Sequence, residues 1–410
     1  MFGTMAAPSP RVLLADADAF FVGVARMVDP EGAGQAPLLI VGGSRESRGV
    51  VCSASYETRQ FGVRSAMSIA QALRLCPDAL CVPVPRKACA VKSAEIRKVL
   101  ERFAPIVEGA SIDEWYLDLS GTEGVYHHEP LGTTAQRIRA AVHQATGLTL
   151  SIGGGTNKLI AKLAVDRAKP KSGPGGSGVC IVEAGEEEAF LRSCTLAEIP
   201  MVGPKFQARL AAFGLITVPD VLALTLDTLR QQLSDREARW LWNRVHGIDD
   251  VRVAPRGVAR GLSRDETFGK DLSGDRDIER ELLMLVTRAA SDLRGDGLVT
   301  RTVTVRLRDW DFTTRSTQRT LPDPISSDRA IMRVARELLK LLRGARRVPA
   351  RLVGVRLSSL AKARDVNQFE LFATRPDRSG ETYKDRALTR AIDGVRKKFG
   401  PKSILPGPLT

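Results

Sequence analysis

The spacing of apolar and polar positions divides this chain into elements before any residue is given a role. Val12 to Ala15 is an apolar run that ends on Asp16, and Trp115 to Leu119 is a second that follows directly on Asp113 and Glu114. Short apolar runs of this kind predict buried strands, so both put carboxylates at a strand end or a hairpin. Met67 to Leu75 has the spacing of a short amphipathic helix closed by Pro77. LTLSIGGGTNKLIAKLAVDRAKPKSG predicts a strand, a Gly-rich turn and a helix that begins near Lys158. Leu196 to Gly214 predicts helix, tight turn, helix, and Trp240 to Gly257 turns polar and Gly/Pro-punctuated, as a tether does. Beyond it the order is strand (262–268), helix (278–293), strand (302–308), strand (313–320), helix (328–342), strand (352–357). In the second of these strands Val303, Val305 and Leu307 alternate with Thr304, Arg306 and Arg308, which predicts one apolar and one basic face. Lys384 to Phe399 reads as an amphipathic basic helix to which the pattern assigns no role.

Composition adds a partner class. With 410 residues, 43% of them hydrophobic, the chain is long enough for two to four domains. Its formal charge of +14 favours a polyanion over an acidic protein. Residues 257–364 hold 23 Lys/Arg against 14 Asp/Glu, so the surplus concentrates there. The six cysteines form no CxxC pair and the four histidines no HExxH or zinc spacing, which fits reduced thiols. No apolar run approaches the length that spans a bilayer and the first ten residues lack signal-peptide order, so the expectation is a cytoplasmic protein with no membrane partner.

The candidate chemistry starts from the acids. Burying Asp16, Asp113 and Glu114 together is costly unless a cation compensates. Mg²⁺ suits hard carboxylate oxygens and completes its shell with water and substrate phosphates. Two such ions, roughly 3.5–4 Å apart, can activate a hydroxyl and stabilise a leaving pyrophosphate. Tyr56 and Arg59, three apart, would project together from one helical turn, an arrangement suited to a triphosphate. Lys158 at a helix start is placed to reach phosphates, whereas Lys162, one turn later, reads as a solvated face residue. The Gly run is no Walker A loop, since GxxxxGK[ST] is absent.

DADAFF, YETRQFGVRSAM, SIDEWYLDLSGT and SIGGGTNKLIAKLAVDRAKP, in that order, resemble the Y-family translesion DNA polymerases, in particular the bacterial DNA polymerase IV branch; the likeness covers roughly residues 11 to 372. It implies an α+β multidomain fold, a right-hand polymerase with palm (11–24 and 78–168), small fingers (25–77), helical thumb with a helix-hairpin-helix (169–242), linker (243–258) and a βαββαβ little finger (259–362), between a disordered residues 1–10 and a tail from 363 to 410. It implies that Asp16, Asp113 and Glu114 are catalytic and hold two Mg²⁺ ions with the Ala17 carbonyl, and that Tyr56, Arg59 and Lys158 contact the triphosphate. Phe21 takes the steric-gate position against the sugar, with Phe20 beside it among the nucleotide-binding residues and packing beneath; Cys52 and Ser53 roof the nascent base pair.

In the thumb, Gly203 and Lys205 are implied DNA contacts, although Met201 replaces the hairpin's usual first glycine. Arg306, Arg308, Arg315, Arg319 and Arg356 are the candidate phosphate contacts of the little finger. Asn367 to Phe372 (NQFELF) resembles the peptide that binds the sliding clamp (beta), with Gln368, Leu371 and Phe372 as anchors. The expected protein is a monomeric, low-fidelity, template-directed DNA polymerase acting on primer-template DNA and dNTPs. A noncatalytic accessory protein that recruits other polymerases is the alternative, and loss of one of the three acids would have marked it.

Overall fold

The computed structural model describes residues 10–45, 48–170, 177–255, 257, 259–363, 381–400 and 403–404. The clamp-peptide anchors Gln368, Leu371 and Phe372 lie outside them. The chain divides into two compact units, Met1–Arg256 and Gly257–Thr410.

In the first unit the strands are β1 (Val12–Ala17), β2 (Leu39–Gly42), β3 (Val51–Ala54), β4 (Leu80–Pro83), β5 (Ile106–Gly109), β6 (Glu114–Asp118), β7 (Leu150–Gly155) and β8 (Val179–Ile181). They form a five-stranded sheet in the order β5-β6-β1-β7-β8 and a three-stranded sheet in the order β3-β2-β4. All six residues of β1 are buried because each of its faces serves a core. Leu13 and Ala15 pack with Trp115, Leu117, Ile138 and Leu150, while Val12 and Leu14 pack with Ala161 and Val165. A strand covered on both sides reads as a continuous apolar run, which is the pattern the sequence carries there.

The glycines predicted to make a turn lie inside β7 instead. A Cβ on Gly153 would come within 2.3 Å of the Ala161 carbonyl oxygen and 2.1 Å of the Val165 nitrogen. The glycine is therefore there so that the helix Lys158–Ala168 can lie directly on the strand. Gly153→Ala is expected to force that helix off the sheet and cost about 1–3 kcal/mol, read as a lowered denaturant midpoint.

The expected helix-turn-helix of Leu196–Gly214 has only its second helix, Pro204–Ala211; the first limb is a run of turns, with Glu198 bonded to Thr195 N at 2.7 Å and Pro200 barring helical continuation. Met201 takes a left-handed backbone (φ 73°), which explains why glycine suits this position. The predicted tether is also shorter than expected. The helix Asp235–Val245 runs into it, the Asn157 amide donates to Gly247 O, Val253 is buried against β1, and Ala254 N donates to Glu108 at 3.0 Å. Apolar burial and polar anchors thus hold the stretch to Ala254 on the first unit.

The second unit follows the predicted order with longer strands: β9 (Gly261–Leu272), β10 (Leu298–Asp309), β11 (Thr314–Ile325) and β12 (Ala350–Lys362), paired antiparallel in the order β11-β10-β12-β9. The helices Asp275–Gly295 and Asp328–Ala345 cover one face, where Val303, Val305 and Leu307 are fully buried. The C-terminal helix Tyr383–Phe399 docks on this unit. Glu381 accepts from the amides of Ser326 and Ser327, and Arg294 bridges Asp328 and Asp393. Asp393 faces Arg294 and Asp385 is buried at the helix cap on Thr382, while Lys384, Arg390, Lys397 and Lys398 stay exposed, which accounts for the basic amphipathic pattern.

Candidate active site

The antiparallel register sets Glu114 of β6 opposite Asp16 of β1, and Asp16 opposite Ser151 of β7. Residues directly opposite share a face with Cβ atoms about 4.5–5.5 Å apart, so Glu114, Asp16 and Ser151 form one row across three strands. Asp113 sits in the turn before β6. Its carbonyl accepts from Ala17 N at 2.9 Å, tying the turn to the end of β1, and its carboxylate accepts from Ser111 Oγ.

The helix on β7 supplies the cations. Lys169, just past its end, pairs with Asp16 at 2.7 Å and with Asp166 at 3.1 Å; Lys162 pairs with Glu114. Lys158 is bound instead to Glu108 at 2.7 Å and lies over the Tyr116 ring at 4.5 Å. Two expectations are corrected here. Lys162 is a partner of the acid row, and Lys158 is engaged on β5 because it starts the helix about three turns before Lys169, the lysine that meets Asp16. The signal was present in the spacing, since positions 158, 162 and 169 fall on one helical face.

Burial pushes the Asp16 carboxyl up to about 7 against the pull of Lys169, and Glu114 pushes in the same upward direction. Glu114 goes the other way: burial raises it, but hydrogen bonds from Lys162 and Asp16 prevail and hold it below the usual carboxylate range. Two acids face to face oppose each other's ionisation, which is why Glu114 adds to the upward push on Asp16. Burial opposes the Lys169 ammonium, yet Asp16 and Asp166 keep it charged beyond the ordinary lysine range. The row is compensated by Lys169 and Lys162, and its donors are all oxygen, which fits a hard divalent ion. Among the described residues no three His, Cys, Asp or Glu side chains converge at ligand spacing, and Asp113 is bonded to Ser111 Oγ.

Tyr56 opens the helix Tyr56–Gln60, capped by Ser55, and the Arg59 guanidinium lies over its ring at 4.8 Å while Nε donates to Ala54 O. Burial raises the Tyr56 phenol, helped by the charges of Asp18 and Asp16 and opposed by Arg59 and Lys169. Asp18, Ala19, Ser55, Tyr56 and Pro170 line an open cavity of about 630 Å³.

At the end of β1 the chain turns through Ala19, in the left-handed region at φ 45°, into the helix Phe20–Val28. Phe20 is 1% exposed and belongs to the core, so its side chain is not a nucleotide contact. Phe21 is half-buried and meets Phe20 edge-on at 5.6 Å. On β3, Cys52 is exposed and Ser53 buried, so only Cys52 of the two offers its side chain outward.

The basic face of the second unit is smaller than expected. Arg306, Arg308 and Arg356 lie on the side of the sheet away from the helices, Arg306 and Arg356 exposed. Arg315 and Arg319 pair with Leu307 and Val303, so strand alternation turns them to the helix side. Arg315 is bonded to the fully buried Asp309 at 2.9 Å and Arg319 to Glu337. Arg315 is thus committed to a buried acid, whereas Arg319 and Glu337 form an exposed surface pair. In the first unit Gly203 caps the helix Pro204–Ala211 with Lys205 exposed on its first turn.

Residues 15–166 match the model of the impB/mucB/samB family, and residues 259–371 that of the family's C-terminal domain. A DNA polymerase IV from Dehalococcoides mccartyi (strain CBDB1) is 33% identical over 397 residues, 97% of each chain. One from Caulobacter vibrioides is 34% identical over 392 residues, covering 96% of this chain and 92% of its own. Among solved structures, a Y-family DNA polymerase chimera of Dbh and Dpo4 superposes with a TM-score of 0.75 at 24% identity, and DinB from Sulfolobus solfataricus with 0.56 at 26%; each comparison covers 85% of this chain and 98% of the other.

Proposed function

This chain belongs to the impB/mucB/samB family, the Y-family DNA polymerases, and is a translesion DNA polymerase; from that premise we propose that the row of Asp16 and Glu114, with Asp113 beside it, is where it joins nucleotides. The observation that carries the reading is the register that sets Asp16 opposite Glu114 on a buried strand, where the two are paired with Lys169 and Lys162. The accessory-protein alternative is not favoured, because all three acids are present and the relatives are named DNA polymerase IV.

Asp16, Asp113, Glu114 and the Ala17 carbonyl would hold two Mg²⁺ ions. Held there, they would supply a lowered pKa for the primer 3′-hydroxyl and neutralisation of the leaving pyrophosphate. The 3′-oxygen bonds to the α-phosphorus of the dNTP as the bond to the β-phosphate oxygen breaks, and phosphoryl transfer of this kind asks of the protein mainly positioning and charge. Lys169 is the side chain that sequence reasoning missed. Released from Asp16, its ammonium would be free for triphosphate oxygens. Tyr56 and Arg59 add a hydroxyl and a forked donor, and the first turn of Phe20–Val28 has no side-chain cap, a setting that favours phosphate. Phe21 would stand against the sugar.

Primer extension on a primed template with dNTPs and Mg²⁺ tests the reading. Template-directed products that vanish with chelator are expected, and failure to extend any primer would overturn it.

Arg306, Arg308 and Arg356 would bind phosphates of primer-template DNA, as would the Gly203–Lys205 turn. Replacing Arg306 and Arg308 by Ala should flatten the log–log salt dependence of DNA binding by roughly one unit for each phosphate no longer neutralised. Arg315→Ala should leave that slope unchanged and lower stability instead, since it removes one of the two guanidinium partners of buried Asp309, leaving Arg346 alone. We further propose that Gln368, Leu371 and Phe372 bind the sliding clamp of a monomeric, cytoplasmic enzyme. Leu371→Ala with Phe372→Ala should then abolish stimulation by the clamp and leave clamp-free extension at its normal rate.

A further inference from the structure

Asp18 takes no part in the acid row, yet it is held more deliberately than its neighbours. Its Oδ1 accepts from Ser151 Oγ at 2.6 Å, across 133 residues of sequence, and Ser151 is fully buried. Its main-chain N donates to Thr149 O at 3.0 Å, while Oδ2 is buried and makes no hydrogen bond. An aspartate at a helix start ordinarily turns its oxygens onto the first-turn amides. Here the helix Phe20–Val28 has no side-chain cap.

The residue that follows explains why such a hold is needed. Ala19 lies in the left-handed region, which costs a residue with a Cβ about 1–2 kcal/mol and persists only where the surroundings over-determine it. This one turn joins Ala17 to Phe21, two residues given functional roles. The end of β1 is fixed on one side by Ala17 N to Asp113 O and on the other by Asp18 to Thr149 and Ser151. Ser151 is also the third member of the row that contains Glu114 and Asp16, so the same strand register sets the acids and the turn.

We propose that Asp18 and Ser151 form a positioning pair whose hydrogen bond locks the left-handed turn at Ala19 and so sets Phe21 and the Ala17 carbonyl against the incoming nucleotide. The inference rests on the polymerase reading and on Phe21 as the gate.

Single-nucleotide incorporation tests it, with dNTP and rNTP measured separately. Ser151→Ala and Asp18→Ala should each raise KM for dNTP about tenfold and lower the dNTP-to-rNTP preference, since small misplacements at a reacting centre are costly. DNA affinity should stay within about twofold, and the double variant should be no worse than either single, as one shared bond requires. Asp18→Asn keeps an acceptor for Ser151 and should retain most of the preference. Should Ser151→Ala not fold, the contrast between Asp18→Asn and Asp18→Ala decides the matter alone. Wild-type KM and preference in Ser151→Ala, or equal losses in Asp18→Asn and Asp18→Ala, would overturn the proposal. Phe21→Ala run in parallel separates the two levels: if it leaves the preference unchanged the gate assignment fails, whereas a change there with none in Ser151→Ala sinks the positioning pair only.

Discussion

Asp16→Ala and Glu114→Ala are each expected to cut nucleotide incorporation by about 10³-fold or more, the equivalent of losing about 4 kcal/mol of transition-state stabilisation. Asp113→Ala should do the same. Charge is the cause. Asp16 and Glu114 stand opposite each other, and Lys169 and Lys162 already neutralise them. Deleting one carboxylate leaves a lysine without its acid and a row too weakly negative to assemble two divalent ions. DNA affinity should remain within about twofold, because it comes from phosphate interactions elsewhere. Single-turnover extension and a DNA-binding titration on the same preparations check both halves. Residual extension above a few per cent of wild type would remove the acid row from the chemistry, and a parallel loss of DNA binding would point to a folding defect.

The second large effect concerns the sugar. Phe21→Ala should lower the preference for dNTP over rNTP on the order of 10²-fold, because truncation relieves a clash with a 2′-hydroxyl and adds no new attraction. The ring is half-buried against Phe20, so some stability is lost as well, and thermal unfolding should accompany the assay. Phe20→Ala provides the contrast. Phe20 is fully buried in the core, so its truncation should cost about 3–5 kcal/mol without selectively admitting ribonucleotides. If the preference survives in Phe21→Ala, the gate lies elsewhere on the turn.

Where sequence and structure part, the physical reason is the same each time. Arg306 and Arg315 are indistinguishable by residue type, and only the β10–β11 register shows that they lie on opposite faces of one sheet. A Gly run such as that of β7 is a good turn signal. What these glycines do, admitting a helix against a strand, depends on an element the local pattern does not include. Polar composition marks the stretch after Trp240 as a tether, but composition cannot register that Val253 finds a pocket beside Val12 and Leu14.

Local physical chemistry along the chain was enough to determine that β1 is a buried strand ending in a carboxylate, that the second unit runs βαββαβ, and that Tyr56 and Arg59 project together. Each follows from periodicity or spacing within one element, and a basic total charge with an ordered set of acidic and aromatic motifs carries the family. The tertiary structure alone decided which lysine meets which acid, that Asp18 is tied to Ser151, and that Arg315 and Arg319 lie on the helix side of their sheet. Those facts depend on register and on the approach of elements tens of residues apart. A one-residue change of register, invisible in composition, would turn every one of these side chains to the other face.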